Sequence, residues 1–405
     1  MAVRDNGYEA PGLDDSGAQA AAARFCSLAF GGTLEGAVEW LRDQAGYEHL
    51  RVLREADGSL AASLIVIPMG QYFGGRSVEM EGIAGVAVPP EGRGKGAGLR
   101  LMRAQVRDAA ARGVPVSCLF ASTQSLYRQV GYEQAGVVFQ TTLPLRTVGV
   151  RERGMVVREL TDADQPAIAA CYARYAARYD GMLDRGAYVW GRTRSNRGEV
   201  RRGFGFFGEG GGGEALEAYV FFAQRRKAST GRHDVAVSDL AFVTARGGRR
   251  LLGFLSDLAT VGDDATFDGA AVHPLMGLMG QQYFTSRFVD VWMLRLNLVR
   301  EALEARGYAP GVRAEFVVEV EDDLVEANAG AWRVRVADGR AEVERARGDV
   351  RGVAVMRCDV RGLAAVYAGY CSATSAAGLG WVEGEALAVV DGVFAGDGGW
   401  MVDRF

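Results

Sequence analysis

The chain is poor in the residues that build metal centres and disulfide frameworks. Its 405 residues include three histidines (His49, His233 and His273) and five cysteines (Cys26, Cys118, Cys171, Cys358 and Cys371). The cysteines are odd in number, and none has the short spacing of a zinc site or a redox pair. No metal site and no disulfide framework is expected, and a reducing, cytoplasmic compartment fits this usage. The histidines are too scattered for a histidine-based triad and read as structural or surface positions. No apolar run reaches the roughly 18 to 20 residues that span a bilayer, so no membrane association is expected. The first residues, Met1-Ala2-Val3-Arg4-Asp5-Asn6-Gly7, lack the apolar centre of a signal peptide. A formal charge of −4, from 46 basic and 50 acidic residues, excludes a general attraction to nucleic acid. The basic runs Arg225-Arg226-Lys227 and Arg246 to Arg250 read as solvated turns.

What the chain does have is 49% apolar and 24% charged residues, the balance of a globular protein. Its length asks for two or three domains. The most informative stretch is Val86-Ala87-Val88-Pro89-Pro90-Glu91-Gly92-Arg93-Gly94-Lys95-Gly96-Ala97-Gly98. A β-rich run ends there, and Leu99, Leu101, Met102, Val106, Ala109 and Ala110 continue with helical spacing. Strand, glycine-rich turn and helix start together make an anion cradle. The first N–H groups of a helix lack intrahelical acceptors, and the helix dipole favours negative charge. Arg93 and Lys95 add positive charge, which points to a pyrophosphate-bearing cofactor.

Two familiar loops fail on this stretch. A nucleotide-triphosphate loop needs Ser or Thr after its lysine to hold magnesium, whereas Gly96-Ala97 follows Lys95. A dinucleotide fingerprint can be laid on Gly92, Gly94 and Ala97. It also needs an acidic residue at the end of the next strand, but Val116-Ser117-Cys118-Leu119-Phe120 ends in Ala121-Ser122. Arg93-x-x-Gly96-x-Gly98 after Val86-x-Val88 resembles instead the coenzyme A loop of the GNAT acetyltransferases. Downstream, Ala121-Ser122-Thr123-Gln124-Ser125-Leu126-Tyr127-Arg128-Gln129-Val130-Gly131-Tyr132 resembles that family's strand, short tyrosine-bearing helix and Gly-Tyr turn.

Local signals order the first segment, residues 1–148. Asp14-Asp15-Ser16 caps a predicted helix through Ala21, Phe25 and Leu28, and a second helix is predicted over Leu34, Ala37, Val38 and Leu41. Strands are predicted around His49 to Arg54, Ser59 to Pro68 and Ser77 to Val88, the first two joined by the hairpin signal Asp57-Gly58. Residues 149–288 resemble a degenerate copy of this unit. Val235 to Val243 leads there into Arg246-Gly247-Gly248-Arg249-Arg250, but nothing small matches Gly98 and no tyrosine follows at the matching place. The glycine run Gly210 to Gly213 reads as a hairpin tip. Residues 289–405 begin with the strand pattern Val291 to Leu296 and alternate strands and helices like a sterol-carrier domain, with the stripe Leu363, Val366 and Tyr367 read as core.

The fold class expected is therefore α+β (mixed α/β): tandem GNAT folds, the second degenerate, followed by a sterol-carrier-like domain. This arrangement resembles the enhanced intracellular survival (Eis) family of acetyltransferases along nearly the whole chain. The resemblance implies an acetyl-CoA-dependent N-acetyltransferase acting on an aminoglycoside, a polyamine or a lysine side chain, by direct attack through a tetrahedral intermediate, and a homo-oligomer, in that family a hexamer. A protein-lysine acetyltransferase and a non-catalytic lipid or acyl-CoA carrier are the alternatives. The resemblance places the pyrophosphate on Arg93, Gly94, Lys95, Gly96, Ala97 and Gly98. Val86, Ala87 and Val88 would hold the pantetheine arm, with Ser122 at its end and an N–H near Val88 facing the oxyanion. Tyr127 is the candidate general acid, and the carboxylate of the terminal Phe405 the candidate base, with Glu79 or Glu81 as fallback. Trp40, Phe73 and Glu81 are expected to line the acceptor pocket. Family members often carry an acidic residue before the final phenylalanine, where this chain has Arg404. That cation would repel a polycationic acceptor unless Asp403 compensates.

Overall fold

The structure is a computed structural model that describes residues 7–196, 199–210, 213–347 and 352–405. Residues 1–6, in the N-terminal reading, and residues 211–212, in the hairpin-tip reading, lie outside them. Contacts divide the chain into two units. The first holds the described residues up to Gly136, with Val291–Gly399 and Phe405; the second holds Val137–Asp290 and Trp400–Arg404.

In the first unit the predicted caps set the opening helices. Helix α1 (Ser16–Phe30) starts where the Asp15 carboxylate accepts the Ala18 N–H at 2.9 Å, and it ends on Gly31 in the left-handed conformation. Thr33 caps α2 (Leu34–Glu39) through the Gly36 N–H. Strands β1 (Tyr8–Glu9), β2 (Leu50–Arg54), β3 (Leu60–Phe73) and β4 (Arg76–Ala87) follow one another as antiparallel neighbours. Gly58, at φ +84°, turns the β2–β3 hairpin, where Asp57 accepts the Ser59 N–H at 2.9 Å. Helix α3 (Ala97–Ala111) then crosses to β5 (Val116–Phe120), which runs parallel to β4. Leu101, Met102 and Val106 of α3 are buried in one core cluster with Leu64, Val66, Ile83 and Leu119 of the strands.

One expectation is corrected here. Residues 292–296, read as opening the third domain, pair antiparallel with β5 (Trp292 opposite Phe120, Leu296 opposite Val116) and extend the first domain's sheet. The reason is burial: Trp292, Met293, Leu294 and Leu296 are all inaccessible, so both faces of this segment need cover. The rest of the C-terminal part forms its own five-stranded sheet, ordered Arg340–Arg345, Gly330–Ala337, Ala314–Glu321, Val355–Asp359 and Val382–Gly384. Asp359 caps the helix Val360–Tyr367, whose stripe Leu363, Val366 and Tyr367 is buried core.

The second unit repeats the strand and helix plan. Its sheet runs from residues 137–144 through Gly262–Gly269, His233–Phe242, Gly213–Arg226 and Arg202–Gly210 to Val156–Glu159. Its parallel ladder joins His233–Phe242 to Gly262–Gly269 and ends at Ala236 opposite Thr266.

Candidate active site

The site of the first unit begins where two parallel strands part. The ladder between β4 and β5 covers Met80 to Gly82 against Val116 to Cys118 and stops there. Beyond it β4 runs on to Ala87 with a register shift against β3 between Ser63 and Ile65 and a left-handed Gly85 (φ +59°). Backbone groups of β4 on the β5 side are thus released from sheet pairing, a strand edge an extended arm can join. Val86 and Val88 are half-buried along it.

The loop after β4 has the geometry of an anion cradle. One turn of 3-10 helix, Pro90–Gly92, leads into Gly94 and Gly96, both left-handed at φ +78° and +77°. A Cβ on either glycine would meet nothing within 4 Å. Helix α3 starts at Gly96 without a side-chain cap, and its first internal bond is Arg100 N–H to Gly96 O at 3.0 Å. The N–H groups ahead of Arg100 have no intrahelical acceptor. Neighbouring charges are paired: Glu91 with Arg24 at 2.8 Å, and Arg100 with Glu55. Arg93 and Lys95 are exposed and make no ion pair with a described residue. Free N–H groups, open space and two unneutralised cations fit a diphosphate.

Phe405 lies at the fork itself. A Cβ on Gly82 would fall 2.6 Å from Cε2 of the Phe405 ring and 2.6 Å from Met69 Cε, and the ring stands edge-on to Phe120 at 5.8 Å. The last paired residue of β4 is thus glycine because the C-terminal ring occupies its side-chain space. Gly82, Met69 and Phe120 were missed from sequence; a lone glycine inside an otherwise apolar strand was the available signal. Tyr127, on the short helix α4 (Gln124–Arg128), is buried with its ring edge-on to Tyr132 at 6.1 Å, and burial pushes its phenol up to about 12. Leu126 of the same helix and Val88 each stand 3.5 Å from where a Cβ on Gly98 would be, which ties α4 to the start of α3. Ser122 is exposed in the turn between β5 and α4.

Of the three pocket assignments, two come out differently. Trp40 is half-buried over the β4 bulge, with Cη2 2.7 Å from a Cβ placed on Gly85. Phe73 is not a pocket wall. It ends β3 at the far hairpin, fully buried and edge-on to Tyr367 at 4.9 Å. Its backbone carbonyl accepts the Gly307 N–H at 3.0 Å. Glu81 is not a pocket wall either. Both of its oxygens are held by Arg112, one of them at 2.9 Å, and Gln105 donates to it at 3.0 Å, on the α3 side of the sheet. Alternation along β4 puts it on the face opposite Gly82 and Phe405. Glu79 is exposed.

The second unit's equivalent helix start is already filled. Thr244 caps Ala245–Asp257 by accepting the Gly247 N–H at 2.9 Å and donates to the Glu217 carboxylate. A Cβ on Gly247 would lie 2.8 Å from the Glu217 carbonyl oxygen. An internal carboxylate stands where an anionic ligand would bind. In the tail, the cation of Arg404 is neutralised by Asp268 at 2.8 Å, not by Asp403, whose carboxylate is held by Arg185 at 2.9 Å.

Known families match three stretches of the chain. Acetyltransferase (GNAT) domain families match residues 16–135 and 181–296, and the sterol carrier protein domain family matches residues 299–402. The chain carries two GNAT acetyltransferase domains ahead of a sterol-carrier domain and is an acyltransferase enzyme. Eis1 from Mycobacterium abscessus is a structural neighbour, with a TM-score of 0.76 at 22% identity over 97% of this chain and 98% of that one. A GCN5-related N-acetyltransferase from Anabaena variabilis superposes with a TM-score of 0.89 at 28% identity, over 98% and 99% of the two chains. An uncharacterized N-acetyltransferase of Streptomyces griseus is 26% identical over 82% of this chain and 83% of its own. Among the described residues no helix is long and apolar enough to cross a membrane.

Proposed function

We propose that the first unit transfers an acetyl group from acetyl-CoA to an amine nitrogen, and that the second unit has no donor site. The observation that carries this is the fork of β4 and β5, with the uncapped glycine loop after it and Phe405 packed on Gly82. Gly94 to Gly98 and the cations of Arg93 and Lys95 would hold the diphosphate, and the free edge of Val86 to Val88 the pantetheine arm. An N–H near Val88 would face the oxygen on which charge develops. The Tyr127 hydroxyl would protonate the departing sulfur, Ser122 would stand near the arm's end, and the Phe405 carboxylate would take the proton of the attacking amine. Trp40, over the bulge, remains the aromatic wall for the acceptor.

Pairing of Arg404 with Asp268 leaves a polycationic acceptor admissible, so aminoglycosides, polyamines and lysine side chains all belong in the trial. Burial of the stripe Leu363, Val366 and Tyr367 in the core favours the transferase reading over the carrier reading, although residues 299–402 match a sterol carrier protein domain. A cytoplasmic homo-oligomer accompanies the acetyltransferase reading; a monomeric mass in light scattering would remove the oligomer. The test is thiol release from acetyl-CoA by the full chain, with spermine, an aminoglycoside and a lysine peptide as acceptors. Release with at least one of them is expected. Two residues added after Phe405 should lower that rate about tenfold or more with coenzyme A affinity unchanged. No release with any amine, although coenzyme A binds, would remove the reading.

A further inference from the structure

The fork of the second unit is not closed. Where His233–Phe242 and Gly262–Gly269 part, a cavity of about 450 Å³ remains, lined among others by Arg192, Arg201, Arg225, Ser238, Asp268 and Arg404. That size suits a small ligand. The donor-site reading gives it no occupant, because Thr244 and Glu217 block the adjoining helix start.

Charge in this cavity is unbalanced on one wall. Glu199 is the only carboxylate among the described residues that pairs with Arg201 (3.6 Å) and Arg225 (2.8 Å), so two guanidiniums share it. Arg192 pairs with no described carboxylate; its Nη1 donates to the Tyr188 hydroxyl at 2.8 Å. The other acids of the cavity do not redress this. Asp239 and Asp403 both clasp the fully buried Arg185, at 2.7 and 2.9 Å, and take further hydrogen bonds from the hydroxyls of Tyr219 and Tyr172. Asp268 is held by Arg404 at 2.8 Å and by Gln140 at 3.2 Å. Burial, with repulsion from Arg225 and Arg192, brings the Arg201 guanidinium below its usual range despite Glu199. Clustered cations, here half-buried Arg192 and Arg201 beside exposed Arg225, repel one another unless an anion joins them.

We propose that this cavity binds the carboxylate or phosphate group of a small polar molecule, gripped by Arg192, Arg201 and Arg225. Guanidinium forks match both oxyanions through paired hydrogen bonds, which is why three arginines rather than lysines suit such a site. The site stands on the second unit alone, so it does not depend on the acetyl-transfer reading.

Calorimetric titration of the full chain with inorganic phosphate and, separately, with citrate at constant ionic strength tests it. Saturable binding of at least one is expected; phosphate alone, citrate alone or both identify which oxyanion chemistry the site takes. Arg192→Gln and Arg201→Gln should each weaken that binding about tenfold, the scale of a lost charged hydrogen bond. Arg249→Gln, exposed and outside the cavity, should leave it unchanged. Among the described residues the Arg192 guanidinium contacts Tyr188, by a hydrogen bond to its hydroxyl and a cation–ring contact at 5.6 Å, so Arg192→Gln keeps the test intact if Arg201→Gln folds poorly. No saturable binding of either anion, or equal affinity in Arg192→Gln, overturns the proposal.

Discussion

Tyr127 shows how burial sets the working range of a single group. Its phenol is raised to about 12 because a charged oxygen would be desolvated there. A general acid must carry its proton, and a raised value keeps that proton on as pH rises. The alkaline loss of activity due to Tyr127 therefore lies above about pH 10, beyond the ordinary value for a phenol. Tyr127→Phe should lower kcat about tenfold or more with little change in KM for acetyl-CoA, and the parent enzyme should show no falling limb between pH 7.5 and about 9.5. A falling limb centred near pH 8 in the parent, absent from Tyr127→Phe, would contradict the burial argument. Gly82 is the second residue with a sharp expectation. Any side chain there collides with the Phe405 ring. Gly82→Val should displace the C-terminus and lower turnover about tenfold or more while coenzyme A affinity stays within about twofold, because the cradle lies in the loop beyond the strand. Equal losses of both in a calorimetric and kinetic comparison would mean that Phe405 has no separate role.

At the scale of elements, the loop before α3 separates conformation from contact. Gly96 is left-handed with open space around it, whereas Gly98 is already helical with Val88 and Leu126 at ordinary contact distance. Gly98→Ala should therefore be tolerated. Gly96→Val forces a branched residue into the left-handed region, at about 1–3 kcal/mol, and puts methyl groups into the cradle. Its Kd for coenzyme A, read by calorimetry, should rise about tenfold relative to Gly98→Ala; equal affinities would move the diphosphate off this loop. Elements such as these were legible because their cause is local. Asp15 and Thr33 cap the helices they precede, Asp57-Gly58 turns its hairpin, and the basic glycine loop ends a strand. Phe73 and Glu81 were misplaced for a complementary reason. Alternation in β3 and β4 tells which residues share a face but not what covers it, and Tyr367 and Arg112 arrive from 294 and 31 residues away in sequence.

For the molecule as a whole, the strand that sequence assigned to the third domain is also the one that joins the C-terminal part to the first domain. Residues 292–296 line up with β5, and Arg295 at their centre is inaccessible, paired with Asp322 at 2.7 Å. Asp322 follows the strand Ala314–Glu321 and also accepts the N–H groups of Leu324 and Val325 at 3.0 and 3.1 Å. Gly131, at φ +85°, is glycine in the Gly-Tyr turn because Arg295 Nη1 would lie 1.5 Å from its Cβ. A motif read as a local signature of the first domain is thus shaped by a residue 164 positions later. Removing one member of a buried pair strands the other charge, which costs about 3–5 kcal/mol, whereas replacing both by neutral groups of similar size costs far less. Asp322→Ala should lose about that amount in urea unfolding. The double change Arg295→Met with Asp322→Asn, which keeps an acceptor for Leu324 and Val325, should recover more than half of the loss. If the double variant is no more stable than Asp322→Ala, the pair is not what joins these two parts of the first unit, and the burial of residues 292–296 alone must hold them.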